Sequence, residues 1–275
     1  MNKLKYILRI FLILLLFSCL SGAPLDYDSV EYLTEYRELP DVKFIYPGPE
    51  GPYMKRLKER LPLDVYDDKS EYEIVLSVKK YVCSLWDHNG WNKPLKSDPI
   101  FILDQVAKGQ EFRCVEYGLV TVGFLNSLGI TARTVSLKTK DAAVRSSGAG
   151  HVLSEAYLGD MKKWIMIDSN FDVVPAQNGR PLSLYEFQRA IFNDENLDEF
   201  SASYNGGPWT NKEYINWIKP YLYYFDTSIG GDSGKSLMLV PVGAPELTVF
   251  QNFFPIRNML YTHSIADFYQ TPEII

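Results

Sequence analysis

Three residues in the middle of the chain could together perform nucleophilic chemistry: Cys114, His151 and Asp168. A reactive cysteine needs a stabilised thiolate, a base that exchanges protons with it, and a third group that orients the base. Cys114 stands where the loop 109–113 turns into a helix, so the N-terminal dipole of that helix is expected to lower the pKa of its thiol. His151 begins a strand and Asp168 ends the next one. The pattern predicts a catalytic triad.

The hairpin between these two strands supports the pairing of His151 with Asp168. The strands are joined through Gly159-Asp160, a dipeptide typical of two-residue hairpin turns. Such a turn places His151 directly opposite Asp168, and directly opposed residues share a face and lie within side-chain reach. A change of one residue in the turn would spoil this register.

The elements that must position these residues follow from periodicity and capping signals. Ser70 and Glu73 form a capping box, and valines then recur at helical spacing, which predicts a helix over 71–86. The other predicted elements are helices over 98–108, 114–128 and 183–192, strands at 130–137, 151–158 and 163–168, and weak strands at 236–242 and 246–254. This order predicts an α+β fold in which the helix of Cys114 packs on an antiparallel sheet carrying His151 and Asp168.

Two stretches resemble the catalytic core of the bacterial transglutaminase-like superfamily, whose relatives include peptide N-glycanase and cysteine peptidases. They read FRCVEYGLVTVGFLNSLGITARTVSL at 112–137 and GHVLSEAYLGDMKKWIMIDSNFD at 150–172. The positions that match the family pattern are Cys114, Leu128-Gly129, Ala132-Arg133, His151-Val152, Glu155, Trp164 and Asp168. The resemblance covers about residues 70–192. It implies a papain-like fold and thioester-mediated acyl transfer by Cys114, His151 and Asp168.

Two positions depart from the family pattern. Leu153 stands where an aromatic residue is common, and Ser169-Asn170 replaces the usual proline after the aspartate. These departures leave the substrate class and the geometry of the strand end open. If Asp168 is not the third catalytic residue, Asn170 or Asp172 is the next candidate. Arg133 and Glu155 fit the pattern and are interpreted as a structural ion pair.

Acyl transfer also needs donors for the oxyanion. The backbone N–H of Cys114 is the expected first donor, because this residue starts a helix. The second could be the indole N–H of Trp86 or the side-chain amide of Gln110, although Trp86 also fits a residue of the helix core.

Other interpretations of the cysteines and histidines remain open. Cys114 could be a small buried hydrophobic residue, or it could form a disulfide with Cys83 in an oxidising compartment. Cys83 has no motif around it and is interpreted as structural. His88 and His263 have no partners at ligand spacing, so neither a metal nor another cofactor is predicted.

The first residues have the features of an export signal. A basic start, with Lys3, Lys5 and Arg9, precedes an apolar run over 7–17 that is too short to span a bilayer. The run ends in LFSC at 16–19, which resembles a bacterial lipobox and predicts lipidation of Cys19. The alternative is an ordinary signal peptide that is cleaved near Ala23.

The resulting organisation has three parts. Residues 1–19 form the lipoprotein signal peptide, 20–69 a tether and irregular lead-in, and 70–275 the catalytic domain. Within that domain the core spans about 70–192, and the aromatic-rich extension 193–275 supplies walls or a lid for the cleft. The protein is therefore expected to be exported and lipid-anchored to the bacterial cell envelope, on its periplasmic or surface face.

Composition narrows the range of partners. The chain has 275 residues, a net charge of −6 and 14% aromatic residues, which argues against nucleic acid and for polar organic ligands. We expect hydrolysis of an amide bond in a peptide, glycopeptide or cell-wall-derived substrate. The alternative is a non-catalytic lipoprotein that binds glycans or peptides on a degenerate core. Its aromatic platform would comprise Trp209, Trp217, Tyr221, Tyr223 and Tyr224.

Overall fold

The computed structural model describes residues 30–273 of the chain. The predicted signal peptide, with Cys19, lies outside the described residues, as do residues 20–29. Across the described part, none of the helices combines the length and the apolar character needed to cross a membrane.

Seven α-helices and twelve strands form between residues 30 and 273. The helices are α1 (Pro52–Lys58), α2 (Glu71–Cys83), α3 (Pro99–Val106), α4 (Cys114–Ser127), α5 (Leu184–Phe192), α6 (Asn211–Ile218) and α7 (Ile265–Phe268). The first six strands are β1 (Ala132–Lys138), β2 (Gly150–Leu158), β3 (Lys163–Ile167), β4 (Ala176–Gln177), β5 (Arg180–Pro181) and β6 (Ala202–Tyr204). The others are β7 (Gly207–Trp209), β8 (Tyr224–Ser228), β9 (Ser236–Leu239), β10 (Val249–Phe250), β11 (Phe254–Pro255) and β12 (Met259–Thr262).

The central sheet has six strands in the order β12-β9-β8-β1-β2-β3. All neighbouring pairs are antiparallel except β12 and β9, which run parallel at one edge. The α+β class is therefore confirmed, and the strands next to His151 and Asp168 lie in the antiparallel part of the sheet. The parallel pair lies at the far edge, where the β10–β11 hairpin separates β9 from β12 along the chain.

Two hydrophobic clusters form on the two sides of the sheet. Helix α4 packs on the side of the even-numbered residues of β2. A Cβ on Gly118 of this helix would lie 3.2 Å from the Val152 side chain and 3.3 Å from that of Thr134, so the glycine permits the close approach. The odd-numbered residues of β2 face the other cluster, which includes Leu153 and aromatic residues of the C-terminal third such as Tyr214.

The predicted helix boundaries are close to those observed. The capping boxes at Ser70 and Ser183 are confirmed, since each hydroxyl accepts from the backbone of a glutamate three residues later. Helix α2 ends at Cys83 rather than at 86. The hydroxyl of Ser84 donates to the carbonyl of Tyr81 at 2.7 Å, and the next backbone bond, from Leu85, spans only three residues, so the α-helical ladder stops there.

The turn between β2 and β3 differs from the predicted one. Leu158 pairs with Lys163 rather than with Met161, so four residues, 159–162, form the turn. Lys162 adopts the left-handed conformation at φ 51°, which a longer turn accommodates. His151 and Asp168 are consequently not directly opposed. The register shift equals two residues, however, so both side chains stay on the same face of the sheet.

The lead-in predicted over 20–69 is only partly irregular. Within its described residues, helix α1 forms and buries Leu57 against the domain. Phe44 and Tyr46 belong to the hydrophobic core, and the backbone of Ile45 bonds to the carbonyl of Ile229 at 2.8 Å. The sequence did not indicate these contacts, because the buried aromatic residues of this segment follow neither a helical nor a strand period and stand among turn residues.

The expected ion pair between Arg133 and Glu155 is confirmed and lies in the core. The guanidinium donates to Glu155 Oε2 at 2.8 Å and to the carbonyl of Phe268 at 2.7 Å. Glu155 Oε1 accepts from the backbone of Leu184 and from the Tyr269 hydroxyl, each at 3.0 Å. Four aromatic rings lie within 5.5 Å of the guanidinium carbon: those of Phe44, Trp164, Phe268 and Tyr269. This network ties the sheet to α5 and to the last helix.

Replacing Arg133 by Met is expected to lower the free energy of unfolding by about 3–5 kcal/mol, because Glu155 is then buried without its counter-charge. The matched control is Arg60→Met, which removes an ion pair to Asp104 whose two side chains are 44% and 45% exposed. That variant is expected to lose less than about 1 kcal/mol. Urea unfolding measures both, and equal losses would contradict the assigned role of the buried pair.

Candidate active site

The structure brings His151 and Asp168 together where β2 begins and β3 ends. His151 Nε2 lies 2.8 Å from Asp168 Oδ2. The Tyr214 hydroxyl, from α6, donates to the same oxygen at 2.9 Å. All three side chains are buried. Burial and the charge of Asp168 raise the pKa of Tyr214 well above its usual range, so its hydroxyl keeps the proton that it donates.

A tight turn after β3 holds the Asp168 carboxylate. Asp168 Oδ1 accepts from the backbone N–H of Asn170 at 3.2 Å, and the backbone groups of Asp168 and Val173 bond to each other. The Ser169 hydroxyl forms a 2.7 Å hydrogen bond with Thr121 of α4. The residues that replace the family's usual proline thus anchor the strand end to the helix that begins with Cys114.

Cys114 occupies the first position of α4 and is partly exposed. Its backbone N–H is one of the helix-start amides that have no acceptor within the helix. The imidazoles of His151 and His88 and the backbone of Val152 act on the thiol and lower its pKa. Since His151 Nε2 contacts Asp168, Nδ1 is the nitrogen left to face Cys114.

These contacts favour a thiolate–imidazolium pair. Burial raises the pKa of the Cys114 thiol, but the hydrogen bonds and the charge of His151 outweigh it and lower this pKa to about 6. Burial lowers the pKa of His151, but the charge and hydrogen bond of Asp168, with the contribution of Cys114, raise it to about 10. Between these two values the sulfur is negative and the imidazole is positive.

A cavity of about 650 Å³ opens beside the thiol. Cys114 and His151 line it, and so does Asn170. Its aromatic walls come from Trp91, Tyr204, Trp217, Tyr221 and Phe250. The ring of Trp217 meets the His151 ring edge to face at 4.9 Å and restrains its orientation. The arrangement combines an activated sulfur, a proton donor and room for a substrate.

The two predicted oxyanion donors lie elsewhere. Trp86 is buried, and its indole N–H donates to the carbonyl of Phe112 at 3.3 Å while its ring packs on Tyr117 at 4.2 Å. Gln110 is exposed, and its side-chain oxygen faces Asn92 at 3.4 Å. Neither lines the cavity, so both expectations are corrected.

His88 is the residue of the site that sequence reasoning missed. It lines the same cavity as Cys114 and lowers the pKa of that thiol, and its Nδ1 lies 2.9 Å from the Tyr204 hydroxyl. In the sequence, His88 has no partner at metal-ligand spacing, so no role was predicted for it. No short motif joins it to Cys114, and only the fold brings the two together.

The predicted aromatic platform is divided among three places. Trp217 and Tyr221 line the cavity. Trp209 packs instead on Phe171, at 5.1 Å between ring centroids. Tyr223 and Tyr224 belong to a separate cluster. The extension thus supplies part of the cavity wall and part of the core.

The structure also bears on the predicted alternatives for the cysteines and for metal binding. Cys83 and Cys114 are both free thiols, so the alternative of a disulfide between them is not observed. Among residues 30–273, no group of three or more His, Cys, Asp and Glu side chains is placed to hold a metal ion.

Part of the chain is similar to a known protein family. Residues 62–169 match the family model of the transglutaminase-like superfamily. This segment contains Cys114, His151 and Asp168, and the match confirms the resemblance seen in the sequence motifs. Cysteine-based catalysis is common in this superfamily, whose members are generally enzymes. The curated proteins include no match.

Three solved structures are similar over part of the chain. A "putative cysteine protease" from Cytophaga hutchinsonii is 16% identical, with a TM-score of 0.33 over 42% of this chain and 37% of that one. A protein described as a TGase is 20% identical, with a TM-score of 0.32 over 46% and 33%. Red sea bream transglutaminase is 13% identical, with a TM-score of 0.30 over 43% and 26%. The present chain thus matches only about a quarter to just over a third of the length of these proteins.

Alkylation of Cys114 by iodoacetamide is expected to rise with a midpoint near pH 6, because the neighbouring imidazoles lower the pKa of its thiol. The rate should stay high above pH 10, since loss of the His151 proton leaves the thiolate in place. Mass spectrometry of the labelled peptides measures the rate at each cysteine.

Cys83 serves as the internal control for this titration. Burial and the charges of Asp172 and Asp168 raise the pKa of its thiol to about 12, so it should remain unlabelled up to pH 9. A Cys114 midpoint near the free-cysteine value of about 8.5 would contradict the ion pair.

Proposed function

We propose that this protein is an exported, transglutaminase-like cysteine enzyme that cleaves an amide bond through a thioester on Cys114. The observation that carries the proposal is the shared imidazole. His151 lies 2.8 Å from Asp168 and lines, together with Cys114, a cavity large enough for a substrate, and it lowers the pKa of the Cys114 thiol. The match of residues 62–169 to the transglutaminase-like superfamily supports the same chemistry.

In the proposed reaction the Cys114 thiolate attacks the carbonyl carbon of the substrate. A sulfur–carbon bond forms, and the π electrons of the carbonyl move to its oxygen. The intermediate collapses, the carbon–nitrogen bond breaks, and the departing amine takes the proton of His151 Nδ1. Asp168 keeps the imidazole oriented throughout. Water then attacks the thioester, giving a proton back to His151, and the carboxylic acid leaves as the thiolate is restored.

Hydrolysis is the favoured outcome, because water is abundant outside the cell and the sequence marks no lysine site for an acyl acceptor. The aromatic walls of the cavity suit a polar organic substrate such as a peptide, a glycopeptide or a cell-wall-derived stem peptide. No nucleic acid, metal or other cofactor has a role in the proposal.

The Cys114→Ala variant is expected to lose hydrolysis of peptides and muropeptides and labelling by a thiol-directed activity probe. Asp168→Asn should lower kcat by about 10²–10⁴-fold with little change in KM, because the imidazole loses its orienting carboxylate. Turnover should follow a bell-shaped pH profile with limbs near pH 6 and pH 10, set by the thiol and the imidazole.

Asp172→Asn is the matched control for the third residue. Asp172 lies in the same turn but pairs with Lys79 at 2.9 Å, so its replacement should leave kcat near that of the wild type. Loss of turnover in Asp172→Asn together with near-normal kinetics in Asp168→Asn would show that the third residue was misassigned. Equal probe labelling of the wild type and Cys114→Ala would contradict the assignment of Cys114 as the nucleophile.

The second candidate function is binding without turnover, and the aromatic cavity wall is the observation that favours it. A binding protein would retain full affinity for its peptide or glycan in the Cys114→Ala variant, and the wild type would release the ligand unchanged. Calorimetry with the Cys114→Ala variant and product analysis with the wild type separate the two functions.

We further propose that the chain is anchored to the envelope through a lipid on Cys19. The support is the basic start, the short apolar run and the lipobox-like LFSC. Metabolic labelling with an alkyne fatty acid is expected to mark the wild type and not Cys19→Ser, which should appear in the soluble fraction. Equal labelling of both proteins would contradict the anchor, and an unlabelled chain beginning after Ala23 would indicate ordinary cleavage.

A further inference from the structure

We propose that His88 is a further catalytic residue, held by the Tyr204 hydroxyl so that its Nε2–H stabilises negative charge at Cys114. The inference rests on the proposed acyl transfer and adds a second imidazole to it. One imidazole, His151, exchanges protons, and the other, His88, only donates a hydrogen bond.

Several contacts hold the loop of His88 at the cavity that Cys114 lines. The backbone N–H of His88 donates to Asn205 Oδ1 at 2.7 Å, in the turn between β6 and β7. The backbone N–H of Asn89 donates to the carbonyl of Phe112 at 2.9 Å, which joins this loop to the segment just before Cys114. His88 and Cys114 line the same cavity. The backbone of this loop is therefore held from both sides of the site.

Tyr204 determines which nitrogen of His88 faces the thiol. Its hydroxyl lies 2.9 Å from His88 Nδ1, and its ring stacks on Phe171 at 4.8 Å between centroids. Burial and the charge of Cys114 raise the pKa of Tyr204, so the hydroxyl keeps its proton and can donate it to Nδ1. An Nδ1 that accepts leaves the ring hydrogen on Nε2. Nε2 is then the donor that remains for Cys114.

The effect on the thiol agrees with this tautomer. The hydrogen bond from His88 lowers the pKa of Cys114, as a donor to the thiolate must. When the thiolate attacks a carbonyl, the negative charge moves from sulfur to the carbonyl oxygen. A preorganised N–H that lies close to the sulfur can then donate a hydrogen bond to this oxygen, because the oxygen forms within a short distance of the sulfur. With the backbone N–H of Cys114, His88 thus supplies the second donor that Trp86 and Gln110 do not.

His88 could instead serve only to fasten the β6–β7 hairpin to the loop at 87–91. A purely structural residue would change the stability of the protein without changing the ionisation of Cys114. The pH midpoint of Cys114 alkylation, measured beside the free energy of unfolding, distinguishes the two roles.

The test compares four variants of the full-length protein. His88→Phe removes the donor but keeps a ring, and Tyr204→Phe removes only the hydroxyl that orients it. His88→Gln retains a side-chain N–H. His263→Phe is the control, because His263 faces Glu38 at 3.4 Å and does not line the cavity.

For His88→Phe we expect kcat to fall by about 10²–10³-fold with little change in KM, and the alkylation midpoint of Cys114 to rise. Tyr204→Phe should change both in the same direction by less, and His88→Gln should recover part of the loss. His263→Phe should match the wild type. Normal kcat and an unchanged midpoint in folded His88→Phe would overturn the proposal.

Two measurements on the wild type keep the result interpretable. Nitrogen-15 NMR of the histidine rings should show hydrogen on Nε2 of His88, and hydrogen on Nδ1 would contradict the proposal even if a variant fails to fold. Wild-type alkylation tests the proposed function separately. A Cys114 that is activated in the wild type and unaffected by His88→Phe refutes only the role of His88, whereas an inert Cys114 refutes the acyl transfer itself.

Discussion

The burial of the Asp168 carboxylate is the constraint on which the site depends. A buried carboxylate is costly unless each oxygen finds donors, and here the donors come from three separate parts of the fold. His151 and the Tyr214 hydroxyl share one oxygen, and the Asn170 backbone N–H takes the other. Satisfying Asp168 therefore fixes the start of β2, the turn after β3 and helix α6 relative to one another. The hydrogen bonds of Asp168 offset the cost of burying its charge, and the one with His151 also orients the imidazole.

The charge of Asp168 influences the ionisation of the Cys114 thiol through His151. Asp168 favours the imidazolium form of His151, and the imidazolium in turn favours the thiolate of Cys114. Each group is stabilised by the next, so the low-dielectric interior strengthens the chain of charges instead of neutralising it. In the proposal, His88 adds a second donor beside Cys114. Burial and the charges of Asp172 and Asp168 shift the pKa of Cys83 in the opposite direction, so it stays a thiol.

Sequence alone was sufficient for the main helices and strands between residues 71 and 167 and for the side of the sheet on which His151 and Asp168 lie, whereas helices α1 and α6 were not predicted. The contact of His151 with Asp168 was predicted from a register that was wrong by two residues, and the two side chains still share a face because side chains alternate with a period of two. The turn length was mispredicted because Gly159-Asp160 fits both a two-residue and a longer turn. His88 could not be found in this way, because its contact with Cys114 depends on backbone bonds between loops and on Tyr204. Neither leaves a periodic signal.

The C-terminal third of the chain contributes residues to the candidate site that lie outside the family match. The family match ends at residue 169, yet Tyr214 bonds to Asp168, Trp217 packs on His151, and Tyr204 orients His88. Each contact depends on a single side chain of α6 or of the β6–β7 hairpin. Aromatic residues suit this task, since a large rigid ring packs in the core while its hydroxyl or indole serves a polar partner. Cys114, His151 and Asp168 lie in the matched segment, and the extension packs around them, so the two are parts of one candidate site.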